Sequence, residues 1–154
     1  MVVRVGRVRV MRMRIIGAAT AVAAIVLVGC GDSDSGGSSG SDEDTQEAVK
    51  LMDKGQVQTK TGESEVTVDA VDNNFKPKYV EISKGTEVTF VNEGRNVHNV
   101  LPVKEGAFEP IEADDFDPED DGSVTFDKVG DFPYYCSLHG TKTKGMIGGI
   151  RVVE

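Results

Sequence analysis

Phe132-Pro-Tyr-Tyr-Cys-Ser-Leu-His-Gly-Thr-Lys-Thr-Lys-Gly-Met146 is the stretch on which the reading of this chain turns. It sets a thiol (Cys136), an imidazole (His139) and a thioether (Met146) within eleven residues of one another. A further imidazole, His98, lies upstream in Asn96-Val-His-Asn-Val100. Soft sulfur favours Cu(I), imidazole favours Cu(II), and a trigonal His2Cys set with a long axial methionine serves both oxidation states. The chain has only two histidines in 154 residues, and both fall in these positions. Cysteine and histidine also suit zinc, which is the chemical rival. Zinc leaves Met146 followed by Gly148 unexplained.

Working outward, the residues around this stretch read as strands. A strand over 131–136 delivers Cys136 at its end, His139 follows in the turn, and Met146 closes the loop before a strand over 147–153. Further upstream the apolar period is two. Val66, Val68 and Ala70 alternate with polar positions, as do Val88 and Phe90, Val124 and Phe126, and Ile150 and Val152. Breaks rich in Gly, Pro and Asn fall at 72–77, 83–85, 92–94 and 129–131. Short strands with one apolar face, separated by such breaks, predict an all-β sandwich. His98 must then come from a neighbouring loop that the sandwich carries across to the 136–146 loop.

These residues resemble the plastocyanin-like cupredoxins. Tyr134-Tyr-Cys-Ser-Leu-His139 followed by Gly145-Met-Ile-Gly-Gly-Ile150 is similar to the copper loop of that family. Asn73-Asn-Phe75, Pro77, Ile82, Gly85, Val88, Phe90, Asn92 and His98-Asn-Val100 follow its first half, so the resemblance covers about residues 64–154. It implies a Greek-key β-sandwich of seven or eight strands over residues 63–154, holding one type-1 copper. His98 and His139 would bind through imidazole nitrogen, Cys136 through thiolate and Met146 as the axial ligand. Asn99 resembles the residue whose side chain ties the two ligand loops together, and such outer contacts orient ligands. One departure stands out. The ten-residue step from Cys136 to Met146 is longer than the family's usual loop, around Thr141 to Lys144, which makes the axial contact the least constrained of the four.

The N-terminal third reads differently. Five arginines in the first fourteen residues precede an uncharged apolar run over 15–28, the length of a signal-peptide h-region. Leu27-Val-Gly-Cys30 resembles the lipobox of bacterial lipoproteins, which implies cleavage after residue 29 and lipidation of Cys30. An uncleaved N-terminal anchor is the alternative, and a Cys30–Cys136 disulfide is the plain reading of two cysteines. Residues 31–44 carry no apolar side chain beyond glycine and predict a flexible tether with a reach of roughly 20 Å. Asp44 with Glu47 has capping-box spacing, and Ala48, Val49, Leu51 and Met52 share a face, so a short helix is expected over 44–54 within a 30–62 linker.

The formal net charge is −9, and without the five N-terminal arginines the balance becomes 12 basic against 26 acidic side chains. Such a chain does not bind nucleic acid through its phosphates. Eight carboxylates crowd the stretch from Glu109 to Asp121, which reads either as a plain solvated loop or as a docking surface for a cationic partner. A calcium site there is the weaker option because EF-hand spacing is absent. A closed four-ligand copper site offers no open position to a substrate. The expectation is therefore a monomeric electron carrier and not an enzyme. It would sit at the outer face of a cell membrane, exchanging electrons with a cytochrome or a membrane oxidase or reductase. Extracytoplasmic copper storage or delivery is the second reading. That role calls for extra Met or His residues, and the chain beyond Cys30 has only Met52 and Met146 as methionines.

Overall fold

Alternating apolar side chains close two sheets onto one core. The computed structural model describes residues 40–154. In chain order they form helix α1 (Gly40–Lys54) and strands β1 (Val57–Thr59), β2 (Glu65–Val71), β3 (Asn74–Lys76), β4 (Tyr79–Ser83) and β5 (Glu87–Asn92). Then follow β6 (Leu101–Pro102), a 3-10 turn at Ala113–Asp115, β7 (Asp121–Thr125), β8 (Gly130–Thr141) and β9 (Lys144–Val153). One sheet has the order β1-β4-β9-β8-β6 and the other β3-β2-β5-β7. Parallel pairing of β2 with β5 and of β4 with β9 means that neighbours in each sheet are reached by crossing between sheets. This is the all-β Greek-key sandwich expected. Nine strands are present among the described residues, more than the seven or eight anticipated, because β1, β3 and β6 are short.

The period-two positions behave as their chemistry demands. Val66, Val68, Ala70, Val88, Phe90, Val124, Ile150 and Val152 are all buried in one core cluster. Tyr134 sits at its centre, edge-on to Phe75 and Phe90 with ring centroids 4.9 and 5.2 Å away. Gly148 leaves room for that ring, since a Cβ there would lie 2.5 Å from it. The segment expected as a break at 72–77 instead holds β3. Asp72 adopts a left-handed φ of 53°, and the chain folds back so that Phe75 pairs with Ala70 and is buried.

Two boundaries differ from expectation. The helix begins at Gly40 and not at 44, so Gly40 to Asp44 belong to α1 and not to a tether, and Asp44 lies inside the helix. Its first turns have no apolar residue to announce them. Residues 40–62 are also not a free linker, since α1 packs on β8 and β9 and β1 pairs in parallel with β4. Ala48 and Met52, one turn apart, are the buried side chains of α1, and Met52 occupies the space that a side chain at Gly149 would need. Arg151 fastens the far end, its guanidinium donating to Asp131 and Asp53 at 2.6 Å each. Those two bonds, Asp131 first, raise its hold on its proton. The expected signal peptide, the lipobox with Cys30 and the first part of the tether lie outside the described residues. No helix among the described residues is long and apolar enough to cross a membrane.

Candidate metal centre

Three donor atoms converge at one end of the sandwich. His98 comes from the segment between β5 and β6, while Cys136 and His139 come from β8. The short β6 pairs Leu101 with Tyr135 and Pro102 with Tyr134, which brings the end of the His98 segment alongside Cys136. The Nδ1 atoms of His98 and His139 are 3.1 Å apart, and Cys136 Sγ lies 3.7 Å from the first and 3.5 Å from the second. A point in the plane of this triangle lies about 2 Å from each atom, a bond length that divalent first-row metals take to imidazole and approach with thiolate. The donor set and its size fit a trigonal copper site.

The expected Cys136–Met146 loop is not a loop. β8 and β9 run on as a hairpin, pairing Gly140 with Gly145 and Thr141 with Lys144, with Lys142 and Thr143 as its two-residue tip. Between the pairs Tyr135–Ile147 and Gly140–Gly145 the register shifts, so that residues 136–139 of β8 stand opposite Met146 alone. A bulge of this kind re-aims side chains that a regular ladder would send to alternate faces. It is how Cys136 and His139, three residues apart, both reach the site, with fully buried Met146 directly across the ladder. Thr141 to Lys144, where the sequence is expected to be longer than the family's loop, form the end of the hairpin. Its neck is tight. A Cβ on Gly140 would lie 2.5 Å from the Lys144 carbonyl oxygen, and one on Gly145, which has φ of 80°, would lie 2.6 Å from that of His139.

Burial grades the donors. His98 and Cys136 are fully buried, and Cys136 is a free thiol. Burial lowers the pKa of His98, nearby His139 adds to the effect, and the backbone and charge of Asp72 oppose it; the net direction favours the neutral ring. Among the described residues no partner within hydrogen-bonding geometry meets His98 Nε2, which is also buried. His139 is only half-buried, beside Leu138 at 52 % exposure, and Val97 next to His98 is also exposed.

Asn99 does join the two ligand segments. Its Nδ2 donates to Ser137 Oγ at 2.9 Å, and its Oδ1 accepts from the Ser137 amide at 2.9 Å. Sequence reasoning missed what stands behind His98. Buried Asn92 donates from Nδ2 to the carbonyls of Phe116 and Asn96, and its Oδ1 accepts from the Gly94 amide. The His98 amide also donates to Phe116, and Val100 and Ile111 exchange both backbone bonds. The acidic stretch is thus the wall on which the His98 segment rests. Buried Phe116 and Ile111, apolar residues amid carboxylates, were the signals of it.

A β-sandwich whose end gathers two imidazole nitrogens and a cysteine sulfur, with a methionine across the ladder, defines the cupredoxin class. The family described as copper binding proteins, plastocyanin/azurin family, matches residues 62–153. The chain belongs to this family, and its cofactor is a type-1 copper. The chloroplastic plastocyanin of Physcomitrium patens is 31% identical over 81 residues, covering 47% of this chain and 48% of the relative. The chain therefore spans about half the length of that curated relative. Among solved structures, a copper-containing nitrite reductase from Thermus scotoductus is 33% identical with a TM-score of 0.47, covering 58% of this chain and 22% of that one. A pseudoazurin from Sinorhizobium is 30% identical with a TM-score of 0.47, covering 58% of this chain and 74% of that one.

Proposed function

We propose that the protein carries single electrons between redox proteins outside the cytoplasm, with His98, Cys136 and His139 as the equatorial copper ligands and Met146 as the axial one. The observation that carries this reading is the Nδ1–Nδ1–Sγ triangle with sides of 3.1, 3.5 and 3.7 Å, two of whose corners are fully buried. Copper bound there supplies a one-electron couple between Cu(II) and Cu(I). The chain's part is to hold the donors so that neither state demands a rearrangement, and to keep water and substrates away from them. A buried set of this kind also argues against a labile store, which needs exposed, exchangeable donors.

His139 is the donor nearest solvent, and exposed Leu138 and Val97 give its surroundings an apolar character suited to brief contact with a partner. Glu109, Glu112, Asp114, Asp115 and Asp117 are exposed on the stretch bonded to the His98 segment, so a cationic partner is drawn toward the same end. Attraction of this kind raises encounter rates and is screened by salt within about 10 Å at 0.1 M. Donor and acceptor would be a cytochrome or a membrane oxidase or reductase, met by a monomer that Cys30 anchors through lipid to the outer membrane face.

Addition of Cu(II) to the purified protein should give an intense visible thiolate-to-copper band that ascorbate bleaches. Cys136→Ala should abolish it. A band that survives Cys136→Ala overturns the ligand assignment. For the anchor, the mass of the exported chain should correspond to an N-terminus at Cys30 carrying a diacylglycerol group, and a chain that keeps residues 1–29 or an unmodified Cys30 sinks that part of the reading.

A further inference from the structure

Two features of this chain fall outside the pattern it shares with its family, and they touch. One is α1, which ends at Lys54, before the family match begins at residue 62. The other is the hairpin tip Lys142-Thr143, which lies within the step from Cys136 to Met146 that the family resemblance implies is long. Asp44 of α1 pairs with Lys142 at that tip, 3.2 Å apart. One turn further on, Ala48 is buried, then Met52 seats over Gly149, and Asp53 shares Arg151 with Asp131 of β8. The helix therefore lies along the β8–β9 hairpin from its tip to the middle of the sheet, held by an ion pair at each end and an apolar seat between.

The sandwich does not need the helix for its core. The main core cluster runs from Val66 to Val152 and contains no residue of α1. The hairpin, by contrast, has little of its own to fix it beyond the neck. Past Gly140 it retains only the Gly140–Gly145 and Thr141–Lys144 pairs, and an isolated two-stranded ribbon is marginal in water. His139 precedes this ribbon directly and Met146 follows it directly, so its angle to the sheet sets how the two donors face each other.

We propose that α1 is a positioning element for the ligand hairpin. Asp44, by holding Lys142, fixes the angle at which His139 and Met146 meet the site. The inference rests on the copper assignment for its spectroscopic consequence, but not for its mechanical one. The pair is partly exposed, with side chains 42 % and 34 % accessible for Asp44 and Lys142, so its hold is modest.

The test uses the full chain with Asp44→Lys, Lys142→Asp and the exchanged double variant. In the metal-free protein, amide hydrogen exchange over residues 140–146 should quicken about two- to fivefold in each single variant, the range expected of a partly exposed pair. Exchange in β2 and β5 should stay as it was. In the copper-loaded protein, the shape of the visible band and the copper EPR splitting should change in the single variants. Both readouts should return toward the parent in the double variant. A merely structural pair would alter stability and leave the spectrum alone. Single variants that match the parent in both readouts overturn the proposal, as does a double variant that fails to restore them. If the parent chain itself shows no thiolate band with Cu(II), the copper assignment has failed, and the exchange measurement alone decides the positioning role.

Discussion

The two segments that supply the donors are held in opposite ways. The His98 segment is fixed from behind by buried hydrogen bonds. Asn92 reaches two carbonyls, the His98 amide reaches Phe116, and Val100 is paired with Ile111. The 136–146 hairpin is fixed by backbone register, by a neck in which two glycines leave no room for a methyl group, and by one ion pair to α1 at its outer side. The first kind of support is expensive to disturb, because a buried polar group that loses its partner costs about 1–3 kcal/mol. The second is graded, because register and surface charge can shift a little without collapse. The His98 corner is thus the fixed reference of the site, and the hairpin is where its geometry is adjusted.

This contrast can be broken most severely at Phe116. Replacing that fully buried ring by Ala should cost about 3–5 kcal/mol in a urea titration. It should also speed amide exchange at His98 and Val100 while sparing Gly140. Equal loosening of both segments would show that they are not held independently. Gly145→Ala addresses the other side. A φ of 80° costs a side chain about 1–2 kcal/mol, and the Cβ also meets the His139 carbonyl, so a smaller loss of stability should come with a large change in the visible spectrum. An unchanged spectrum would separate the neck from the donors. Asn99→Ala should have the smallest effect on stability, about 1 kcal/mol, since Ser137 is exposed and water can replace the lost partner. Because Asn99 spans both segments, its loss should shift the midpoint potential in a redox titration. A potential equal to that of the parent would mean that each segment keeps its place without the link.

Much of the fold was legible because one rule generated it. Val66, Val68, Ala70, Val88, Phe90, Ile150 and Val152 alternate along the chain, and every one is buried. The convergence of His98, Cys136 and His139 was legible by chemistry, since two histidines and one thiol in such a chain leave few other readings. The hairpin was not legible. A bulge in which residues 136–139 oppose Met146 alone is a relation between two strands, and neither strand's own sequence records it. β3 escaped because three residues around one buried Phe75 are too few to show a period. The start of α1 escaped because Gly40-Ser-Asp-Glu43 has tether composition, and its helix is completed by contacts further along. The role of the acidic stretch was hidden for a similar reason, since its bonds to the His98 segment are made by backbone and leave no mark on composition.

The glycine neck has a consequence for how this family can vary in length. Side chains along a hairpin alternate faces, so a change that keeps every ligand on its own face must add residues in matched pairs, one to each strand. Below the neck such an insertion would pull His139 and Met146 apart. Above it, beyond Gly140 and Gly145, the ribbon can grow or shrink by a pair at a time while the donors stay in register. The neck therefore divides the hairpin into a part whose length is tied to the spacing of His139 and Met146 and a part free of that constraint. In this chain, that second part carries Lys142, which meets Asp44 of α1.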